Sequence, residues 1–227
     1  MLKLYYARPS AYARPVWLAL LEKQLPFELI PVNLGGEQFE PEFLELNPFS
    51  HVPVLLDGDF RVMESRAILD YLDAQYPDRS LLPSDAKTLA VVRMVQSIAF
   101  SELLPLVFRL IVFDRETSDW NTASQQVLKV FTFFESLLGE GPYFAGEHLT
   151  MAEIVAGTLV PMLPNLGISL RESPNLKSWS SRLLARPSWQ AIALTPDEWS
   201  DFKRRIKVLP KIWERQRKKA DRLSSQG

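Results

Sequence analysis

The chain has 227 residues, 47% of them hydrophobic, and a formal net charge of −1, which is enough apolar material for one large domain or two small ones with proper cores. It contains no cysteine and only two histidines, His51 and His148, which excludes disulfides and thiolate chemistry of its own and leaves too few ligands for a metal site. Met1 to Tyr6 runs straight into Arg8-Pro9 without the apolar core of a signal peptide, and the most apolar later stretch, Leu103 to Phe113, is cut by Pro105 and Arg109 and is too short to span a bilayer, so a cytoplasmic protein is expected.

In chain order, Leu2 to Tyr6 reads as a short strand, and the turn-rich Arg8-Pro9-Ser10 leads into a helix carrying Val16, Trp17, Leu20 and Leu21, with Pro15 tolerated in its first turn. Pro26 ends that helix and Phe27 to Val32 forms a second strand, completing a βαβ unit. A Gly35-Gly36 loop and a short helical stretch near Pro41 to Leu46 follow. Val52-Pro53-Val54-Leu55 then opens a strand on a proline, where a missing N–H is tolerated. A cis Val52-Pro53 bond would leave the backbone N–H and C=O of Val52 free to pair with an extended ligand. Asp57-Gly58-Asp59 is a tight hairpin signal leading to Phe60 to Met63, and Ser65 stands as the N-cap of a helix carrying Ile68, Leu69 and Leu72. A helix N-terminus aimed at this region would attract a carboxylate.

The order β-α-β-α-β-β-α is that of a thioredoxin-like domain over residues 1–76. Residues 77–85 have linker composition, and residues 86–227 are expected to form an all-helical domain, with helices over 86–113, 119–138 and 150–164 and shorter ones near 174–185 and 188–194. Thr150-Met151-Ala152-Glu153 is a capping box, with Leu149 and Ile154 placed as its hydrophobic staple. A basic extension begins near residue 196: ten of the 26 Lys/Arg residues, against two of the 27 acidic ones, fall after residue 202. Such a tail suits nucleic acid or an anionic membrane. Its apolar residues Ile206, Val208, Leu209, Ile212 and Trp213 favour instead a solvated helix folded against an acidic body.

Leu4-Tyr5-Tyr6, Asn47-Pro48-Phe49, Val52-Pro53-Val54-Leu55, Glu64-Ser65-Arg66-Ala67-Ile68, Phe144-Ala145-Gly146 to Glu153, and Leu183-Leu184-Ala185-Arg186-Pro187 occur in this order over residues 1 to about 195. Together they resemble the cytosolic glutathione transferases. The resemblance implies an α/β thioredoxin-like domain followed by an all-α domain, a homodimer, and detoxifying activity in which glutathione is the co-substrate and no metal takes part. It resembles the serine-type classes (theta- or phi-like), which implies Ser10 as the activating hydroxyl, with Tyr6 as the fallback and Arg14 in support. Ser10 also fits a plain N-cap. By matched position, Ser65 and its helix N–H groups hold the γ-glutamyl carboxylate and Glu64 the ammonium; Val52, preceding Pro53, pairs with the cysteinyl unit, and His51 and Gln38 reach the glycyl end. His51 fits an exposed loop histidine equally.

Tyr12, with Ala11, and Phe100, Phe108 and Phe113 are candidates to face a small hydrophobic electrophile, although so apolar a helix is mostly core. Trp199, Phe202 and Trp213 are candidates to cap that site. Ser50-His51 replaces the commoner Gly-Lys or Gly-Gln, Phe39 a basic residue, and Glu153 an aspartate. Ser10-Ala11-Tyr12 lacks the Ser-Ser-Cys start of the isomerase branch. The expected activity is conjugation of glutathione to hydrophobic electrophiles or reduction of organic hydroperoxides; the alternative is a non-catalytic binding or scaffold protein on the same fold.

Overall fold

Alternation in Leu2-Lys3-Leu4 makes the first strand one-sided, with both leucines buried and Lys3 at the surface. In the structure, a computed structural model that describes residues 1–208, this strand, β1 (Leu2–Tyr6), lies inside a mixed sheet. β2 (Phe27–Pro31) runs parallel to it and β3 (Val54–Asp57) antiparallel, and β4 (Phe60–Met63) pairs antiparallel with β3, giving the order β2-β1-β3-β4. A parallel pair needs a crossover, supplied by α1 (Ala13–Glu22). On one face, Trp17 and Leu20 of α1 and Ile68, Leu69 and Leu72 of α3 (Ser65–Gln75) meet Leu2, Leu4 and Leu55. α2 (Pro41–Leu46) covers the other face through Phe43, beside Val52 and Val54.

The rest is helical. Asp85 accepts from the Thr88 N–H at 2.9 Å to start α4 (Ala86–Ile98). A π turn over Ala99–Leu103 carries the chain into α5 (Leu104–Val112). The resulting helix, Ala86–Val112, has the length and apolarity to cross a membrane, whereas Leu103 to Phe113 taken alone reads as too short. More than half of its most apolar window (56%) is buried in the fold, as in a core helix. There follow α6 (Ser118–Leu138), α7 (Met151–Ala156), α8 (Pro174–Leu184), α9 (Pro187–Ala191) and α10 over residues 196–208.

The capping box at Thr150 and Glu153 forms as expected, and Leu149 and Ile154 join one core. The helix expected over 150–164 does not run through. α7 stops at Ala156, and Val160–Leu166 is a 3-10 segment. A Cβ on Gly157 would strike the Glu153 carbonyl and the Leu183 side chain, and Trp189 Nε1 donates to the Gly157 carbonyl at 2.9 Å, so two neighbours press on the backbone there.

Buried polar contacts join the halves. Lys23 Nζ at the end of α1 pairs with Asp73 at 3.0 Å and donates to the Arg79 carbonyl at 2.8 Å, while Asp73 also accepts from the Leu81 N–H. The Leu81 carbonyl in turn accepts from the Met151 N–H at 2.8 Å. Arg186 pairs with Glu22 across the halves at 2.7 Å. Residues 209–227, including Leu209, Ile212 and Trp213 of the basic tail, lie outside the described residues.

Candidate functional site

Strand register decides which segments meet. Tyr5 faces Val54 and Val54 faces Met63 across the sheet, so the loop after β1, the approach to β3 and the exit from β4 open at one end of it. Ser10, Val52-Pro53 and Glu64-Ser65 are on those three segments.

The Val52-Pro53 bond is cis. Among the described residues, neither the N–H nor the C=O of Val52 has a hydrogen-bond partner, although its side chain is buried. The loop before it is built on Asn47, which is buried: its Nδ2 donates to the His51 carbonyl at 2.7 Å and its Oδ1 accepts from the Phe49 N–H at 3.0 Å. The Ser50 N–H donates to the Asn47 carbonyl, also at 3.0 Å. Ser50 adopts φ +58°, a left-handed conformation that glycine takes without steric cost, so the substitution seen in the sequence falls where a glycine is most useful. His51 is exposed. Gln38 is buried, with both ends of its amide engaged by its own loop: Nε2 donates to the Leu34 carbonyl at 3.0 Å and Oε1 accepts from the Gly36 N–H at 3.1 Å.

At α3 the cap differs from expectation. Glu64, not Ser65, is the N-cap residue, with φ 67° and ψ 122°, a sparsely populated conformation for a side-chain-bearing residue. Its carbonyl accepts the first intrahelical bond, from Ile68. The N–H groups of Ser65, Arg66 and Ala67 are thus the free donors of the first turn. The Ser65 hydroxyl donates to the Tyr12 carbonyl at 2.9 Å, tying the start of α3 to the turn that follows Ser10.

Ser10 opens that turn. Its N–H donates to the Ala7 carbonyl at 2.9 Å, its carbonyl accepts from the Arg14 N–H at 3.0 Å, and its Oγ accepts from the Ala13 N–H at 3.2 Å. This resembles N-cap bonding just ahead of α1, whose own cap residue is Tyr12; it consumes a lone pair, and among the described residues the hydroxyl proton has no acceptor. Arg14 lies one turn on. Its Nε is shut off from solvent with no partner among the described residues, and burial, with the like charge of Arg8, draws its pKa down to about 10. It is therefore still a cation at neutral pH. Tyr6 packs edge-on against Trp17, with ring centroids 5.2 Å apart.

Tyr12, 44% exposed, lies parallel to Phe100 with centroids 6.1 Å apart, and the Arg66 guanidinium is 5.1 Å from the centre of the Phe100 ring. Burial pushes the Tyr12 hydroxyl pKa up, Glu64 adds to the rise and Arg66 opposes it. Phe100 belongs to the π turn, a widening of the helix that often accompanies functional sites. Phe108 is half-buried in the core farther along, and Phe113 is roughly 20 Å beyond Phe100 by helix rise. Phe113 lines a separate hollow of about 160 Å³ with Arg115 and Lys203. Tyr12 and Phe100 are thus brought together and Phe113 is not. Phe202 is buried in the core, with Trp199 beside it.

Two family models match consecutive parts of the chain: the glutathione S-transferase N-terminal domain over residues 4–80 and the glutathione S-transferase C-terminal domain over residues 88–187. Glutathione S-transferase 3 of Zea mays is 36% identical over 215 residues, covering 86% of this chain and 96% of its own. The chain belongs to the glutathione S-transferase family. Among solved structures, glutathione transferase F7 of Populus trichocarpa matches with a TM-score of 0.75 at 26% identity, over 85% of this chain and 97% of its own. A glutathione transferase homolog from Sulfitobacter, solved with bound glutathione, matches with a TM-score of 0.72 at 26% identity, over 85% and 96% of the two chains. The C-terminal family model ends at residue 187, before α10.

Proposed function

We propose that this chain is a serine-type glutathione transferase, theta- or phi-like, in which Ser10 donates its proton as a hydrogen bond to the glutathione sulfur and holds it as the thiolate. The observation that carries this reading is the hydroxyl of Ser10 at the start of α1: its lone pair is taken by the Ala13 N–H and its proton is free. A free thiol titrates near ~8.5, so only a few per cent is ionised at neutral pH. A donor hydrogen bond, the helix N-terminus and the Arg14 cation all favour the charged form. A drop of about two units, roughly 2.7 kcal/mol, makes thiolate the majority species.

In this reading, glutathione extends along Val52, pairing its cysteinyl backbone with the free N–H and C=O. Its γ-glutamyl carboxylate takes the N–H groups that open α3, with the Ser65 hydroxyl turned from Tyr12 or shared with it, and its ammonium takes Glu64. The glycyl carboxylate lies toward His51 and Gln38. The electrophile lies against Tyr12 and Phe100, with Phe108 deeper. The thiolate sulfur forms a bond to an electrophilic carbon as the leaving group or π pair departs with its electrons. With an organic hydroperoxide it attacks the outer oxygen, the O–O bond breaks, the alcohol leaves, and a second glutathione thiol displaces water to give the disulfide. The reading includes a cytoplasmic homodimer, a glutathione-binding unit over residues 1–76 joined by 77–85 to the helical remainder, and no nucleic-acid partner, with membrane association of the basic tail not favoured.

Ser10→Ala, assayed beside Tyr6→Phe, tests the assignment. Turnover of Ser10→Ala should fall on the order of a hundredfold while the dissociation constant for glutathione stays within a few-fold. Unchanged turnover in Ser10→Ala with a loss in Tyr6→Phe would move the role to the tyrosine. Glutathione binding without turnover of any electrophile or hydroperoxide by the wild type would favour a binding protein.

A further inference from the structure

Arg8, two residues before Ser10, is held from the far end of the chain. Its Nη2 donates to the Ala193 carbonyl at 2.9 Å, its Nε meets Glu198 Oε1 at 2.7 Å, and its plane lies 5.4 Å from the Trp17 ring. Glu198 is engaged on its other side as well. Its Oε2 accepts from the Thr195 N–H at 2.8 Å, and the Thr195 hydroxyl accepts from the Glu198 N–H at 3.2 Å. These reciprocal bonds are a capping box at the start of α10, with Pro196 at the first helical position. One carboxylate therefore starts the helix and fastens it to the loop bearing Ser10. Trp199 and Phe202, one above the other with centroids 5.6 Å apart, seat the same helix on the core.

The loop itself has little else to hold it on the Arg8 side. Ala7 and Ser10 close a turn through one backbone bond, and Pro9 contributes no N–H. Where the hydroxyl of Ser10 points depends on that turn, which hangs between β1 and α1 with two long-range ties, Ser65 to the Tyr12 carbonyl on one side and Arg8 to α10 on the other. We infer that Glu198 is a positioning residue: by gripping Arg8 from α10 it fixes the loop that aims the Ser10 hydroxyl at the glutathione sulfur. The inference rests on the reading of Ser10 as the activating hydroxyl. The matched family domains end before this helix, so the contact is supplied by the part of this chain that the family models leave uncovered.

The groups that would bind the peptide ends, Val52 and the start of α3, take no part in this tether. Loss of the tether should therefore alter activation and leave binding nearly untouched. In full-length Glu198→Gln, the thiol pKa of bound glutathione, read from thiolate absorbance, should rise toward that of the free tripeptide. Turnover with chlorodinitrobenzene should fall about tenfold, and the dissociation constant for glutathione should stay within about twofold. Arg8→Met, which also gives up the Ala193 and Trp17 contacts, should show at least this loss, the double variant should be no worse than Arg8→Met alone, and Arg8→Lys should recover part of the loss. Thr195→Ala weakens the helix start and leaves the ion pair in place, so it should keep the wild-type thiol pKa.

Ser10→Ala measured in parallel separates the two ideas. If Ser10→Ala is impaired while Glu198→Gln keeps wild-type thiol pKa and turnover, the positioning role is wrong and the Ser10 reading stands. If Ser10→Ala keeps wild-type turnover, both fall. Additive effects of Arg8→Met and Glu198→Gln would also overturn the inference, since the Glu198 contact is already gone in Arg8→Met and cannot be lost twice.

Discussion

In the proposed reading, the one hydroxyl of Ser10 serves structure and chemistry together. As an acceptor it satisfies a first-turn N–H of α1, and as a donor it is free, so the two roles suggested by its position in the sequence are compatible. Glu64 makes the opposite arrangement, in which the proposed ligand role and stability oppose one another. Its positive φ and extended ψ are costly for any residue with a Cβ, on the order of 1–3 kcal/mol, and such residues persist where surroundings hold them for use. Glu64→Gly should therefore raise stability by about 1 kcal/mol in denaturant unfolding while weakening glutathione binding about tenfold in calorimetry. A variant that is neither more stable nor weaker in binding would mean that Glu64 is unstrained and does not touch the ligand.

Among the elements, α10 is the one whose attachment should respond to pH. The Glu198 carboxyl is held below its ordinary value of 4.5, chiefly by the Thr195 N–H and then by Arg8, with partial burial opposing. A depressed carboxyl pKa stabilises the fold above the unfolded value and loses that contribution as pH falls through the folded one. Amide exchange of residues 196–208, corrected for intrinsic rate, should be flat from pH 7 to about 5 and rise below about 4.5, and Glu198→Gln should abolish the step. A step near neutrality would point to another group.

The elements also divide by how far their causes reach along the chain. The Val52-Pro53 strand entry, the Asp57-Gly58 hairpin and the Thr150 capping box are legible because each is set by residues a few positions apart. Thr195-Pro196-Asp197-Glu198 is an equally local capping signal, just ahead of the basic stretch. The ion pair of Glu198 with Arg8 has no local signature, because partners so far apart are chosen by how α10 docks. The π turn is hidden for a different reason: one extra residue in an apolar helix barely disturbs its periodicity, so residues 86–113 read as an ordinary helix. The cap of α3 shifted by one residue because Ser65 spends its hydroxyl on Tyr12, a contact that exists only once the β1 loop and α3 meet.

Across the whole molecule, the halves are joined by buried polar contacts as well as by a shared apolar core. The Lys23 side chain is fully buried, and its pair Asp73 also holds the Leu81 N–H, which places the stretch 77–85 against both α1 and α7. Removing one member of such a pair strands the other without solvent. Lys23→Met should cost about 3 kcal/mol in denaturant unfolding, with turnover per folded molecule unchanged, because no candidate site residue touches Lys23. A loss under about 1 kcal/mol would show that the connection is held by the apolar core alone.

All of these scales meet in the state of one sulfur atom. The most direct test is the thiolate absorbance of glutathione bound to the wild-type protein and to Ser10→Ala, followed against pH. A bound thiol that ionises well below ~8.5 in the wild type and returns toward that value in Ser10→Ala is the expected result. Glutathione bound with the same thiol pKa in both proteins, or not bound at millimolar concentration, would contradict it.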